Sequence, residues 1–387
     1  MKTAKIVIGA NFGDEGKGLM TDYFADKAGN GRRSCLVVCH NGGCQKGHTV
    51  AAPSGVRHVF HHFGSGNFAG ADTYLAPQYI VNPMIFQREY CELAAKEALT
   101  KCYVDRKCRL TTPFDMMLNQ IVEEHRGNEK HGSCGLGIFE TIVRTGRTDG
   151  EFTICEFADK TDADRRMLLE EIAAVYLPDR LRELGIAGIP GQWVEIISSK
   201  DNIIDNYIAD FRMMLEKVEL TDDSIIDAYD EIIFEGAQGL LLDQNNISYM
   251  PHLTPSNTGI KNPLDIIGSR EGDIEVCYVS RTYMTRHGAG RFDTECSKSD
   301  INADMVDLTN VPNPFQDTIR YGTLDLYDLR DRIEKDLGGR NLSRSIAFTH
   351  CNEYEADKSV IEMLFHDYNI YMSCGMTRED CCERSGR

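Results

Sequence analysis

The sequence predicts an α/β fold: a large, mostly parallel central sheet with helices on both faces. Three observations carry this prediction. Short apolar runs alternate with helical stretches along the chain. Five polar or glycine-rich turns each follow one of those apolar runs, which is where ligands sit in open parallel sheets. The chain has 387 residues, 42% hydrophobic and 26% charged, which is ample for one large core.

The first element is residues 5–9 (K-I-V-I-G), a strand leading through Gly9, Gly13, Gly16 and Gly18 into a helix. Residues 34–40 (S-C-L-V-V-C-H) form a second strand that runs into the glycine-rich turn 41–49. Residues 88–99 read as a helix. Residues 162–184 read as another, with acids near its start and a break or kink at Pro178. Residues 202–219 are a third. A buried strand at 231–234 precedes E-G-A-Q-G, and a strand at 276–283 ends at R-H-G-A-G. Residues 324–337 are a helix; 345–350 are a strand that stops at Cys351, Asn352 and Glu353. No repeat, low-complexity segment or Pro/Ser linker divides the chain. It reads as one domain, 1–387, with a helical insertion over roughly 101–191.

The formal charge is −18, from 60 acidic and 42 basic residues. Such a surface repels nucleic acid and anionic lipid, so neither is expected as a partner, and the acid excess reads as solubility. Basic groups that hold phosphorylated substrates must then be concentrated in one place. No apolar run reaches membrane-spanning length, and Met1-Lys2-Thr3 leads straight into the first strand, so a cytoplasmic location is expected. None of the 14 cysteines forms C-x-x-C, which favours reduced, half-buried thiols over zinc.

The turn at 9–18 points backbone N–H groups and a helix N-terminus into one small space, which suits a phosphate. It is not the common phosphate loop. In G-x-x-x-x-G-K-[ST] the first position would fall on Asn11 and the last on Gly18. With no hydroxyl at 18 to hold magnesium, Asp14 becomes the natural metal ligand or base.

These turns, in this order, resemble adenylosuccinate synthetases. That family has G-D-E-G-K-G, here residues 13–18, then G-G-x-N-A-G-H-T, here G-G-C-Q-K-G-H-T at 42–49. Its G-T-T-G-x-G-I corresponds to G-S-C-G-L-G-I at 132–138, and F-E-G-A-Q-G-x-L-L-D stands intact at 234–243. S-N-T follows at 256–258 and T-R-x-G-A-G at 285–290. One glycine turn is weak evidence; six in order, spanning nearly the whole chain, are strong.

The resemblance implies a carbon–nitrogen ligase of purine nucleotide biosynthesis. It would join L-aspartate to C6 of a 6-oxopurine nucleoside 5′-monophosphate, using a nucleoside triphosphate and Mg2+. The C6 oxygen is a poor leaving group until it becomes a phosphoryl ester, which the aspartate amine then displaces. By resemblance Asp14 is the base for N1–H and a magnesium ligand, with the Gly47 carbonyl completing the metal site. Lys17 neutralises the transferring phosphoryl group, and His48 is the general acid at the leaving oxygen. Gln238 contacts the purine edge. Gly13, Glu15, Gly16, Gly18, Gln45, Gly47, Thr49, Thr254 and His287 surround the nucleotides. Ser133 and Cys134 replace two threonines that bind the 5′-monophosphate, Cys134 through its backbone N–H. Arg144 matches an arginine that reaches across a dimer interface to that phosphate, implying a homodimer. The bland readings are a solvent-exposed turn histidine for His48, a polar cap for Gln238 and an acid-paired arginine for Arg144. His48 departs from its bland reading because Gly47 and Thr49 flank it in the family order.

Departures cluster at substrate positions. In the aspartate-binding run 313–322, Arg320 aligns through Gly322, Leu324 and Asp325 and would grip the aspartate side-chain carboxylate. Thr318 stands where the family has an arginine that also touches the ribose 2′-hydroxyl. The family's T-K-x-D, whose aspartate reads guanine, is here T-H-C-N, ending at Asn352. An amide offers one donor and one acceptor, which matches adenine and points to ATP or dATP, with GTP the alternative. Ser373 and Gly375 would pack around the same base. Gln45 replaces an asparagine near the acceptor. Together these resemble the bacteriophage branch of the family, which acts on dGMP to make N6-succino-2-amino-2′-deoxyadenylate, a precursor of 2-aminoadenine DNA. The favoured acceptor is therefore GMP or dGMP, in the host cytoplasm if phage-encoded. The alternative is IMP with GTP, because Asp14 is kept where some phage members carry serine.

Two other classes of function fit the motifs less well. A nucleotide hydrolase or switch needs neither the second glycine-rich histidine turn nor F-E-G-A-Q-G. A catalytically dead binding protein would have lost Asp14, Lys17 or His48, and all three are present.

Overall fold

The computed structural model describes residues 1–30, 34–147, 152–305 and 318–384. Ten strands make the main sheet, labelled here in chain order: β1 (Thr3–Gly9), β2 (Cys35–Cys39), β3 (Asp72–Leu75), β4 (Cys102–Asp105), β5 (Glu219–Thr221), β6 (Glu231–Gly239), β7 (Asp273–Arg281), β8 (Ser343–Thr349), β9 (Asn369–Ser373) and β10 (Cys381–Arg384). Their order across the sheet is β10-β9-β8-β7-β1-β6-β2-β3-β4-β5. Every neighbouring pair is parallel except β9 with β10 at one edge. The central strands are buried along nearly their whole length because both faces are covered. β2 reads C-L-V-V-C with all five residues inside.

One apolar layer joins Ile6, Ile8, Phe234, Val276, Tyr278 and Phe348 to the helix Leu326–Leu337. The other face packs Val7, Val37 and Val279 against Met20 and Phe24 of α1 (Lys17–Asn30).

The expected strands are present with shifted ends. The run at 231–234 continues to Gly239, because E-G-A-Q-G stays paired with β1 through an irregularity between Val7 and Gly9. The helix expected at 88–99 is Pro83–Ala95, started by Asn82, whose side chain accepts from the N–H groups of Met84 and Ile85. Of the break or kink expected at Pro178, the structure shows an interruption of the α-helix without an end to the helical run. Asp162–Glu171 passes through a π-helical turn, Ile172–Tyr176, into Leu177–Glu183, and that wider turn accommodates the proline. The insertion boundary also moves. Residues 102–105 belong to the sheet, and the helical excursion runs from Pro113 to Leu215 before returning in β5. Its side chains share one apolar cluster with Cys39, Leu75 and Val104 of the sheet.

Candidate active site

A cleft opens beyond the carboxyl ends of β1, β2, β7 and β8, flanking the switch point at the sheet's centre. It is lined by Asp14, Glu15, Gly16, Lys17 and Gly18 from the first turn, and by Gly47, His48 and Thr49 from the second. Arg281 and Tyr321 join them, with His350, Asn352, Glu353 and Gly375 at the far side. Residues more than 300 apart in sequence thus share one space.

The first turn holds Asp14 in a left-handed conformation (φ 58°), with Gly13 at 111°. The backbone carbonyl of Asp14 accepts from Nε of Arg281 at 2.6 Å, which fixes the residue to β7. Its carboxylate Oδ2 lies 3.3 Å from Nε2 of His287. The Glu15 side chain is turned inward. It is 2% exposed; its Oε1 accepts from the N–H groups of Asn11 and Gly13, and its Oε2 from Nζ of Lys17 at 2.9 Å. The carboxylate is an internal strut of the turn. A phosphate would be repelled by it, so the Glu15 side chain is not a phosphate ligand.

His48 sits at the start of the short strand His48–Ala51. Its Nδ1 lies 2.7 Å from Oε1 of Glu235, which is fully buried in β6. The other oxygen of Glu235 accepts from Nζ of Lys46 at 2.9 Å and from the N–H of Ser65. Burial alone would raise the Glu235 carboxyl pKa, but Lys46 and His48 beside it hold it well below the usual range. Burial pushes the His48 imidazole down, with Glu235 opposing. Sequence reasoning quoted Glu235 within F-E-G-A-Q-G and gave it no role. The available signal was an acid inside an otherwise apolar strand.

Gln238 is left-handed (φ 58°), and its Oε1 accepts from the Thr254 hydroxyl at 3.5 Å. The Oε1 of Gln45 and the Oγ1 of Thr49 are buried with no hydrogen-bond partner among the described residues.

The 132–137 loop docks on the 286–290 turn. A Cβ on Gly132 would come within 2.7 Å of the Gly288 Cα, and the Ala289 N–H donates to the His131 carbonyl. Ser133 Oγ accepts from Asn119 at 2.8 Å, and burial raises the Cys134 thiol. His287, on the same turn, links this loop to Asp14.

Arg144 lies inside the chain. It is 1% exposed and forms a bidentate fork with Asp115, both bonds 2.8 Å, while stacking on Phe152. Within this chain the guanidinium is therefore held by Asp115, the acid-paired arrangement. Arg320 is paired with Glu295 and donates to the carbonyls of Gly288 and Gly290. Thr318 is exposed, and 313–317 of the expected aspartate loop lie outside the described residues. Asn352 is exposed at the cleft; Ser373 is buried, and its hydroxyl donates to the Gly375 carbonyl at 3.1 Å.

Asp14 and Gly47 line one cleft, and both offer oxygen, the donor a hard cation takes. Among the described residues, no three His, Cys, Asp or Glu side chains gather to hold a metal alone. Magnesium therefore fits here as an ion shared between these oxygens and nucleotide phosphates. No described helix is long and apolar enough to cross a membrane.

Fold and cleft together define a class: α/β proteins whose first strand turns through a phosphate-type loop beside an acid-paired histidine. The adenylosuccinate synthetase family model matches residues 6–334, and the chain belongs to that family. Adenylosuccinate synthetases of Mycobacterium marinum and Mycobacterium leprae are each 28% identical over 302 residues, covering 76% of this chain. Those matches span 65% of each relative's own length. Among solved structures, fully ligated adenylosuccinate synthetase from Plasmodium falciparum superposes with TM-score 0.71 at 16% identity, over 98% of this chain and 99% of that one. Succinoaminodeoxyadenylate synthetase of cyanophage S-2L, bound to dGMP and dATP, gives 0.66 at 15%, over 99% and 95%.

Proposed function

We propose that the protein is a carbon–nitrogen ligase. It joins L-aspartate to C6 of GMP or dGMP, through a 6-phosphoryl intermediate, at the expense of ATP or dATP. The observation that carries this reading is the convergence of Asp14, Lys17, His48 and Asn352 on one cleft.

Asp14 accepts the N1 proton of the purine, and the C6 oxygen attacks the γ-phosphorus as the bond to the nucleoside diphosphate breaks. Lys17 offsets the negative charge in transit. The imidazolium form of His48, held through its Nδ1–H by Glu235 and favoured by the negative phosphoryl group beside it, donates from Nε2 toward the oxygen that leaves with phosphate when the aspartate amine attacks C6. Magnesium, held by Asp14, the Gly47 carbonyl and phosphate oxygens, would supply further charge neutralisation. Gln238, Gln45 and Thr254 contact the acceptor purine, and Ser133 and Cys134 its phosphate. Arg320 would release Glu295 to take the aspartate carboxylate.

The Asn352 amide supports an adenine donor, and the cyanophage neighbour, bound to dGMP and dATP, supports a guanine acceptor. The retained Asp14 supports the second reading, IMP with GTP. A substrate matrix decides between them: IMP, GMP, dGMP and dIMP against ATP, dATP and GTP, with L-aspartate fixed. Succinylated product from GMP or dGMP with an adenine donor is expected. Turnover of IMP with GTP alone would overturn the specificity, and triphosphate hydrolysis without aspartate would overturn the ligase.

A further inference from the structure

We propose that His287 is a positioning residue for Asp14, holding one carboxylate oxygen so that the other presents its lone pair to the purine N1–H. The inference rests on the reading of Asp14 as base.

Nε2 of His287 lies 3.3 Å from Oδ2 of Asp14. The pair is in electrostatic contact, and it becomes a hydrogen bond when Nε2 carries the ring proton, because a carboxylate can only accept. The Asp14 side chain is one-third exposed, and a carboxylate this open samples several rotations unless a donor holds it. The two backbones are fixed to each other. Arg281 bonds the Asp14 carbonyl, the Thr285 hydroxyl reaches the Gly13 carbonyl at 3.5 Å, and Gly288 is wedged against Gly132. His287 occupies the variable position of T-R-x-G-A-G, flanked by Arg286 and a left-handed Gly288 (φ 72°). The turn is made by its glycines and does not require an imidazole. Nε2 of the ring faces Asp14, and proton abstraction gains from a base whose lone pair is already aimed.

The test compares the full-length protein with His287→Leu, His287→Gln and Asp14→Asn. It uses Mg2+ and the fastest nucleotide pair from the substrate matrix, and reads kcat, KM for the monophosphate and melting temperature. Glutamine carries an amide N–H near the place of Nε2; leucine carries none. We expect His287→Leu to lower kcat by roughly 10- to 100-fold with KM and melting temperature unchanged, and His287→Gln to restore most of the loss. Asp14→Asn should cost at least about 100-fold in kcat. Full kcat in His287→Leu beside a dead Asp14→Asn overturns the positioning role and leaves the base reading standing. A loss confined to KM, or no recovery with glutamine, overturns it too. Full activity in Asp14→Asn overturns both readings.

Discussion

Glu235 and His48 form a buried pair in which Oε1 of the acid lies 2.7 Å from Nδ1 of the imidazole. The acid fixes ring orientation and tautomer, leaving Nε2 for the cleft that His48 lines. Replacing His48 by asparagine keeps a donor near Nδ1 and removes Nε2. A kcat loss of about 10²- to 10⁴-fold is expected, with little change in melting temperature. Glu235→Gln differs in kind, because Lys46 then stays buried without its counter-charge. That should cost about 3–5 kcal/mol of stability, read as a lower thermal midpoint. Equal midpoints for the two variants would contradict the pairing.

Arg144 separates a structural role from an interfacial one. Arg144→Met strands the buried Asp115 carboxylate, and a stability loss of about 3–5 kcal/mol is expected in denaturant titration. An arginine serving a phosphate across a subunit boundary would instead raise KM for the monophosphate and leave the unfolding midpoint in place.

The proposed function makes Asn352 the residue that reads the donor base. Asn352→Asp exchanges a donor–acceptor edge for two acceptors, which matches N1–H and the 2-amino group of guanine. The ratio of kcat/KM for GTP over ATP should rise about 10- to 100-fold. An unchanged ratio would remove Asn352 from base recognition.

His40 predicts acid sensitivity. It is fully buried, neither ring nitrogen has a side-chain hydrogen-bond partner among the described residues, and burial lowers its pKa from 6.5 to about 3. Above 6.5 both folded and unfolded forms are neutral. As pH falls from 6.5 toward 3, the unfolded chain takes up a proton that the folded chain refuses, so stability drops. The slope from this group is about 1.4 kcal/mol per pH unit. Urea titrations at pH 7, 6 and 5 should show a shallower acid loss in His40→Gln than in the parent chain; parallel curves would exclude His40 as the source.

Much of the fold was legible because its signals are local. Apolar runs such as K-I-V-I-G and C-L-V-V-C can hardly be anything but buried strands, and the turns that follow them carry their own glycines. Element ends were less legible. Asn82 before Pro83 marked a helix start that periodicity alone placed later, and E-G-A-Q-G resembled a turn although the sheet holds it as strand. Asp14, Lys17 and His48 could be named from their motifs, and they do meet in one cleft.

By itself the sequence determined the five strands that carry the polar turns, the phosphate-type turn and the acid, lysine and histidine at strand ends. All of these depend on neighbours a few residues away. Only the tertiary structure decided that Glu235 holds His48 across 187 residues, that Glu15 props the first turn, that Arg144 turns inward to Asp115, and that His287 meets Asp14. Parallel crossovers bring the carboxyl ends of distant strands together. Which buried charge then finds which partner depends on geometry summed over the whole sheet.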